Sequence, residues 1–190
     1  KKKIKYFLIS FVDLFGVLRS KLVPTQAING MQKNGAGFAG FATWLDMSPA
    51  DSDMFAIPDP ESLIQLPWNK EVAWLASDLW MDNKPVMASP RVMLKNQIKK
   101  LTSKNFNMKS GVECEYFLIN QDGSNIADIR DTQSKPCYDQ SALMRRYDLI
   151  KEICNAMLEM GWNPYQNDHE DANGQFEMNW DYTNCLQTAD

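Results

Sequence analysis

The sequence predicts an α+β chain in two parts, a β-rich stretch over residues 1–88 and a mixed helix–strand stretch over residues 89–190. Three observations carry this expectation. Short apolar runs punctuated by Pro24, Pro58, Pro60 and Pro67 fill the first part, as strands between turns do. Ser89-Pro90 opens the second part with a capping residue followed by a proline suited to the first helical position. Over residues 141–160, Leu143, Tyr147, Ile150, Cys154 and Met157 recur with the period of an amphipathic helix, and Gly161 supplies a C-terminal stop.

Taken in order, Ile4–Val12 reads as a strand, Asp13-Leu14-Phe15-Gly16 as a turn and Val17–Val23 as the returning strand. Residues 25–33 suit a short helix ended by Asn34-Gly35. The Gly-, Ala-, Ser- and Asp-rich stretch from Gly35 to Asp53 reads as loop. Met54–Ile57 and Ser62–Leu66 read as short strands, and Val72–Trp80 and Pro85–Ala88 flank a turn at Asp82-Asn83-Lys84. In the helix after Ser89, Leu94, Ile98 and Leu101 share one face, while Lys95, Lys99, Lys100 and Lys104 form a solvated basic side. Val112–Ile119 reads as a strand with an apolar second half, which suggests a central position. Residues 125–138 look irregular, Asn163–Trp180 reads as a polar loop leading into a strand, and residues 183–190 begin a further element.

At 44% hydrophobic and 23% charged, the 190 residues are those of a globular protein. A net charge of -4 argues against bulk nucleic-acid binding. No apolar run reaches the roughly 18 residues of a membrane span. Lys1-Lys2-Lys3-Ile4-Lys5 before an apolar run imitates a signal peptide, but Asp13 interrupts that run and no small-x-small site follows, so a strand behind a solvated basic segment is expected. Four cysteines without a CxxC pair fit reduced thiols and a cytoplasmic protein, and exclude a zinc ribbon.

Several motifs fail on context. Gly35-Ala36-Gly37-Phe38-Ala39-Gly40 matches a dinucleotide fingerprint, but Pro49 and a loop-rich stretch follow where a long helix is needed. No Walker A sequence is present. Asn167–Gly174 has the composition of a calcium loop, yet aligning Gly174 with the loop's glycine puts Trp180 where the bidentate glutamate belongs. His169 is the only histidine, and nothing in the sequence pairs it with a nucleophile.

The informative residues are acidic. Glu113 and Glu115 flank Cys114 in a strand, so their side chains share a face with Cα atoms roughly 7 Å apart. Paired carboxylates repel, and a hard divalent cation would relieve the repulsion; exposed glutamates on an edge strand are the alternative. Glu170 and Glu177 form a second pair around Gly174, which permits a sharp turn. Four carboxylates from two segments suit a two-metal site of the kind that clamps phosphoryl oxygens; a polar surface loop is the alternative.

These segments read Gly111-Val112-Glu113-Cys114-Glu115-Tyr116-Phe117 and His169-Glu170-Asp171-Ala172-Asn173-Gly174-Gln175-Phe176-Glu177. Their order and wording resemble the glutamine synthetase family. The first hairpin (Asp13, Gly16, Arg19, Lys21, Pro24), Ser52-Asp53-Met54 with Pro58-Asp59, and Ser89-Pro90-Arg91 resemble further family segments. The wording Gly35–Asp46 is most similar to bacterial type III glutamate–ammonia ligases.

The resemblance implies a β-grasp domain over residues 1–88 and, from residue 89, the first part of a catalytic α/β domain with a curved antiparallel sheet. It implies ATP as substrate and two or more Mg²⁺ or Mn²⁺ ions. Glu115, Glu170 and Glu177 correspond to ligands of one metal, Glu113 to the nucleotide-side metal, and His169 to a histidine beside the metal centre, on the cofactor side. Asp53 corresponds to a catalytic loop acid, and Asp46 to the ammonium-binding acid, although closer to Asp53 than in well-known members. The implied reaction makes glutamine from glutamate and ammonium through γ-glutamyl phosphate, in a homo-oligomeric ring, a dodecamer by family resemblance. A γ-glutamylamide synthetase using methylamine or a polyamine, or a non-catalytic structural member, are the alternatives. The family's downstream elements are missing, so the chain reads as a fragment, inactive alone.

Overall fold

A computed structural model describes residues 3–190; Lys1 and Lys2 of the expected basic lead-in lie outside the described residues. In order, the elements are β1 (Tyr6–Val12), β2 (Leu18–Pro24), α1 (Ile28–Asn34), β3 (Ala36–Phe38), β4 (Met54–Pro58), β5 (Ile64–Gln65), β6 (Val72–Met81), β7 (Lys84–Pro85) and α2 (Pro90–Thr102). They continue with β8 (Lys109–Ser110), β9 (Glu113–Phe117), α3 (Gln140–Arg145), α4 (Tyr147–Met160), β10 (Pro164–His169), β11 (Gln175–Trp180), β12 (Thr183–Asn184) and α5 (Cys185–Ala189). The architecture is mixed α/β and divides into two compact units. The first runs to Lys109 and includes Asn184–Asp190; the second is Ser110–Thr183. The 1–88 and 89–190 division differs from this one in where α2 and α5 belong.

In the first unit a mixed sheet runs β2-β1-β6-β4-β3. β1 pairs antiparallel with β2 and parallel with β6, and β4 pairs antiparallel with β3 and β6. Ile9, Met54 and Leu79 are fully buried in a core shared with Phe11, Phe38 and Leu45, each apolar side chain contributing roughly 1.5–3 kcal/mol. The turn expected at Asp13–Gly16 is present. The buried Asp13 carboxylate accepts the Phe15 and Val17 amides at 2.9 and 3.0 Å and the Arg19 Nε at 2.9 Å. α2 and α5 are tied through Arg91. Its guanidinium reaches Asp59 at 2.9 Å, Asp78 at 2.6 Å and Asp190 at 2.8 Å.

The differences from expectation have local causes. Within the expected loop Gly35–Asp53, Ala36 and Phe38 are buried and pair with Ala56 and Met54, making β3. The Ser62–Leu66 strand shrinks to two residues because Pro60 starts a 3₁₀ turn, with Asp59 capping the Glu61 amide. The long helix breaks at Arg146, φ -111°, where Arg145 and Arg146 both face the buried Asp128. The polar stretch from Asn163 is no loop: β10 and β11 form a hairpin.

In the second unit the antiparallel order is β10-β11-β9. Among the described residues β9 is therefore an edge strand and β11 the central one, contrary to the position that the apolar Tyr116–Ile119 run suggested. Apolar composition reports what side chains touch, not how many strands pair; Phe117 and Ile119 are exposed. α3 and α4 pack against β10.

Candidate metal centre

Strand alternation sorts the second unit's sheet into two chemically different faces. His169, Phe176 and Tyr116 sit opposite one another across the three strands, as do Asn167, Met178 and Cys114. This is the helix side: Asn167 donates to the α4 thiol of Cys154 at 3.2 Å, and Phe176 packs against both Tyr116 and His169. Burial among these groups pushes the Tyr116 phenol up to about 12.

The other face is acidic. Glu115, Glu177 and Asp168 form one row across the sheet, with Glu113 opposite Asn179 in the next. Glu170 follows directly after β10, its amide bonded to the Gln175 carbonyl at 3.0 Å. Carboxylate oxygens of Glu115, Glu170 and Glu177 lie within 4.8 Å of one another. Among the described residues no Lys or Arg is ion-paired with Glu113, Glu115, Glu170 or Glu177. Amides fix the carboxylates instead: Gln175 donates to Glu115 at 2.6 Å and Asn179 to Glu177 at 2.5 Å.

The electrostatic cost shows in the titration of the acids. Burial first, then hydrogen bonding to Glu177 and its charge, raise Glu170 above its ordinary value. Burial raises Asp168 too, assisted by the charges of Glu177 and Glu113. One Asp168 oxygen is buried with no hydrogen-bond partner. An all-oxygen donor set with unbalanced negative charge fits a hard divalent cation such as Mg²⁺ or Mn²⁺.

Gly174 explains how the two glutamates of one segment meet. Its φ is +77°, and an added Cβ would lie 2.7 Å from the Ile126 side chain. Only glycine allows both the turn and this approach. Beside the acids, Gly111, Glu113, Tyr165, Asn179, Trp180 and Tyr182 line a cleft of about 640 Å³.

Of the residues singled out in the sequence, Glu115, Glu170 and Glu177 converge, and Glu113 shares their face. His169 does not. Its ring is fully buried on the opposite face, with Nε2 2.6 Å from Asp131 and Nδ1 2.9 Å from the Glu170 carbonyl. Asp46 and Asp53 belong to the first unit, where both are exposed; Asp46 has φ +57°. Two residues escaped the sequence reading. Asp168 could have been found from its alternation with His169 once the segment was known to be a strand. Asp131 sits in an irregular stretch and gave no signal.

The glutamine synthetase catalytic domain, as a family, matches residues 87–190. The chain belongs to the glutamine synthetase family. A glutamine synthetase of Rhizobium leguminosarum bv. phaseoli is 63% identical over 189 residues, covering 100% of this chain and 43% of that protein. A glutamate–methylamine ligase of Methyloversatilis universalis is 37% identical over 194 residues, covering 100% of this chain and 44% of that protein. A solved structure described as a GmaS/ADP complex superposes with a TM-score of 0.96 at 64% identity, over 98% of this chain and 44% of that one. The chain thus spans less than half the length of the family members it matches.

Proposed function

We propose that this chain is the N-terminal part of an ATP-dependent glutamate–ammonia ligase, in which Glu115, Glu170 and Glu177 hold one divalent ion and Glu113 contributes to a second on the nucleotide side. The single observation that carries this reading is the meeting of three carboxylates from β9, β11 and the β10–β11 turn, with no Lys or Arg among the described residues ion-paired to them. Divalent ions held there supply electrostatic stabilisation of the transferring phosphoryl oxygens. The chain's own residues fix the geometry: Gln175 and Asn179 orient two of the carboxylates, and the rigid hairpin holds their spacing. Tyr165, Trp180 and Tyr182 around the cleft beside Glu113 offer flat apolar surface for a nucleotide base.

In this reading the γ-carboxylate of glutamate attacks the terminal phosphorus of ATP and ADP leaves. Ammonia then attacks the acyl carbon, phosphate leaves, and the nitrogen loses a proton. Asp168, whose carboxyl is raised above its ordinary value by burial and by the charges of Glu177 and Glu113, stands on the acidic face. The first unit is read as the family's β-grasp domain and the sheet of the second as the start of its curved antiparallel sheet. Asp53 and Asp46 are assigned to loop acids that serve a neighbouring subunit's site in a ring, a dodecamer by family resemblance. The exposed Phe15–Trp44 pair, with ring centroids 5.4 Å apart, supports a subunit contact on that unit.

Methylamine as the acceptor is the second reading, favoured by the Methyloversatilis relative. Phosphate release by the full-length protein with glutamate, Mg-ATP and either ammonium or methylamine decides between them. Turnover with neither amine would overturn both.

A further inference from the structure

The helix-side face holds a buried acid that the proposed chemistry does not use. Asp131 is 3% exposed and lies in the irregular segment between β9 and α3. Its carboxylate accepts from His169 Nε2 at 2.6 Å, from Asn173 Nδ2 at 3.0 Å and from the Gly174 amide at 2.5 Å. These three donors span the turn that separates Glu170 from Glu177. His169 in turn meets the Glu170 carbonyl through Nδ1, and Asn173 also donates to the Gln133 carbonyl at 3.2 Å. Asp131 is itself held: its amide bonds to the Asp128 carbonyl at 3.0 Å, and Asp128 is ion-paired with Arg145 of α3.

A turn through Gly174 is backbone that would otherwise sample many conformations, since glycine loses the most freedom on folding. One buried carboxylate bonded to three points of that turn removes this freedom. Such outer partners orient ligands without touching the ion, and their loss typically weakens metal binding by about ten- to a hundred-fold.

We infer that Asp131 is a positioning residue: by clamping His169, Asn173 and Gly174 from the face opposite the acids, it sets the separation of Glu170 and Glu177 and so the affinity of the divalent-ion site. This rests on the metal reading above.

The test is Mn²⁺ affinity of the full-length protein, read from the free-ion EPR signal, at a temperature where circular dichroism shows each variant folded. Wild type is compared with Glu177→Gln, Asp131→Asn and Asn173→Ala. The expected result is a loss of at least about ten-fold for Asp131→Asn, a smaller loss for Asn173→Ala, and the largest for Glu177→Gln. Should Asp131→Asn fail to fold, Asn173→Ala carries the test, since it removes one bond of the clamp. Wild-type Mn²⁺ affinity in both clamp variants, with only the melting temperature lowered and Glu177→Gln impaired, overturns the inference and leaves the metal reading standing. Equal affinity in wild type and Glu177→Gln overturns the metal reading itself.

Discussion

Glu115 and Glu177 face each other directly across the β9–β11 ladder. Like charges at such a pair destabilise a sheet by a few tenths to about 1 kcal/mol, so the arrangement is unfavourable until a cation neutralises it. Glu115→Gln is therefore expected to raise the metal-free melting temperature slightly while abolishing the stabilisation that Mn²⁺ gives the wild type. Thermal unfolding in chelator and in Mn²⁺ measures both effects. A variant less stable without metal, yet still stabilised by Mn²⁺, contradicts the assignment.

The pH dependence follows from Glu170. Its folded pKa is raised above the unfolded value of about 4.3, so its contribution favours the fold at low pH and is lost as pH rises through the folded value. In chelator, Glu170→Gln is expected to be more stable than wild type at neutral pH, with the difference vanishing near pH 4. Urea denaturation between pH 4 and pH 8 tests this; a constant difference, or one of opposite sign, refutes it.

Much of this site was legible because its chemistry lies in two local patterns. Alternation placed Glu113 and Glu115 on one face, and Gly174 marked the turn between Glu170 and Glu177. What stayed hidden depends on tertiary context. β10 carries Gln166, Asn167 and Asp168, residues with little strand preference, and becomes a strand because β11 pairs with it and helices cover one face. Asp131 matters only because folding brings it to a turn about forty residues away. In the first unit the hairpin turn was readable from Asp13 and Gly16, whereas β3 was masked by Gly37 and its glycine neighbours Gly35 and Gly40, and pairs only because Ala36 and Phe38 find a core.

Gly174→Ala is expected to cost at least about 2 kcal/mol, combining a left-handed φ with a clash against Ile126. Adding Ile126→Gly, which also removes the Ile126 Cβ lying 2.8 Å from the added methyl, should relieve only the steric part. Chemical denaturation of the two variants measures the split; full recovery in the double variant means that the backbone contributes nothing.

Arg91 is largely buried against three carboxylates. Arg91→Met leaves Asp190 without its partner and Asp59 and Asp78 with Lys95 alone, with an expected loss of about 3 kcal/mol. Lysine is expected to restore only part of it, because a single ammonium cannot reproduce the planar fork. Equal stability of wild type and Arg91→Met rules out this role.

The central claim is that Glu115, Glu170 and Glu177 jointly hold one divalent ion. A crystal of the full-length protein grown with Mn²⁺ and measured for anomalous scattering tests it most directly. The expected peak lies within bonding distance, about 2.1 Å, of oxygens from all three glutamates. Anomalous peaks confined to other residues, with these three carboxylates turned apart, contradict it.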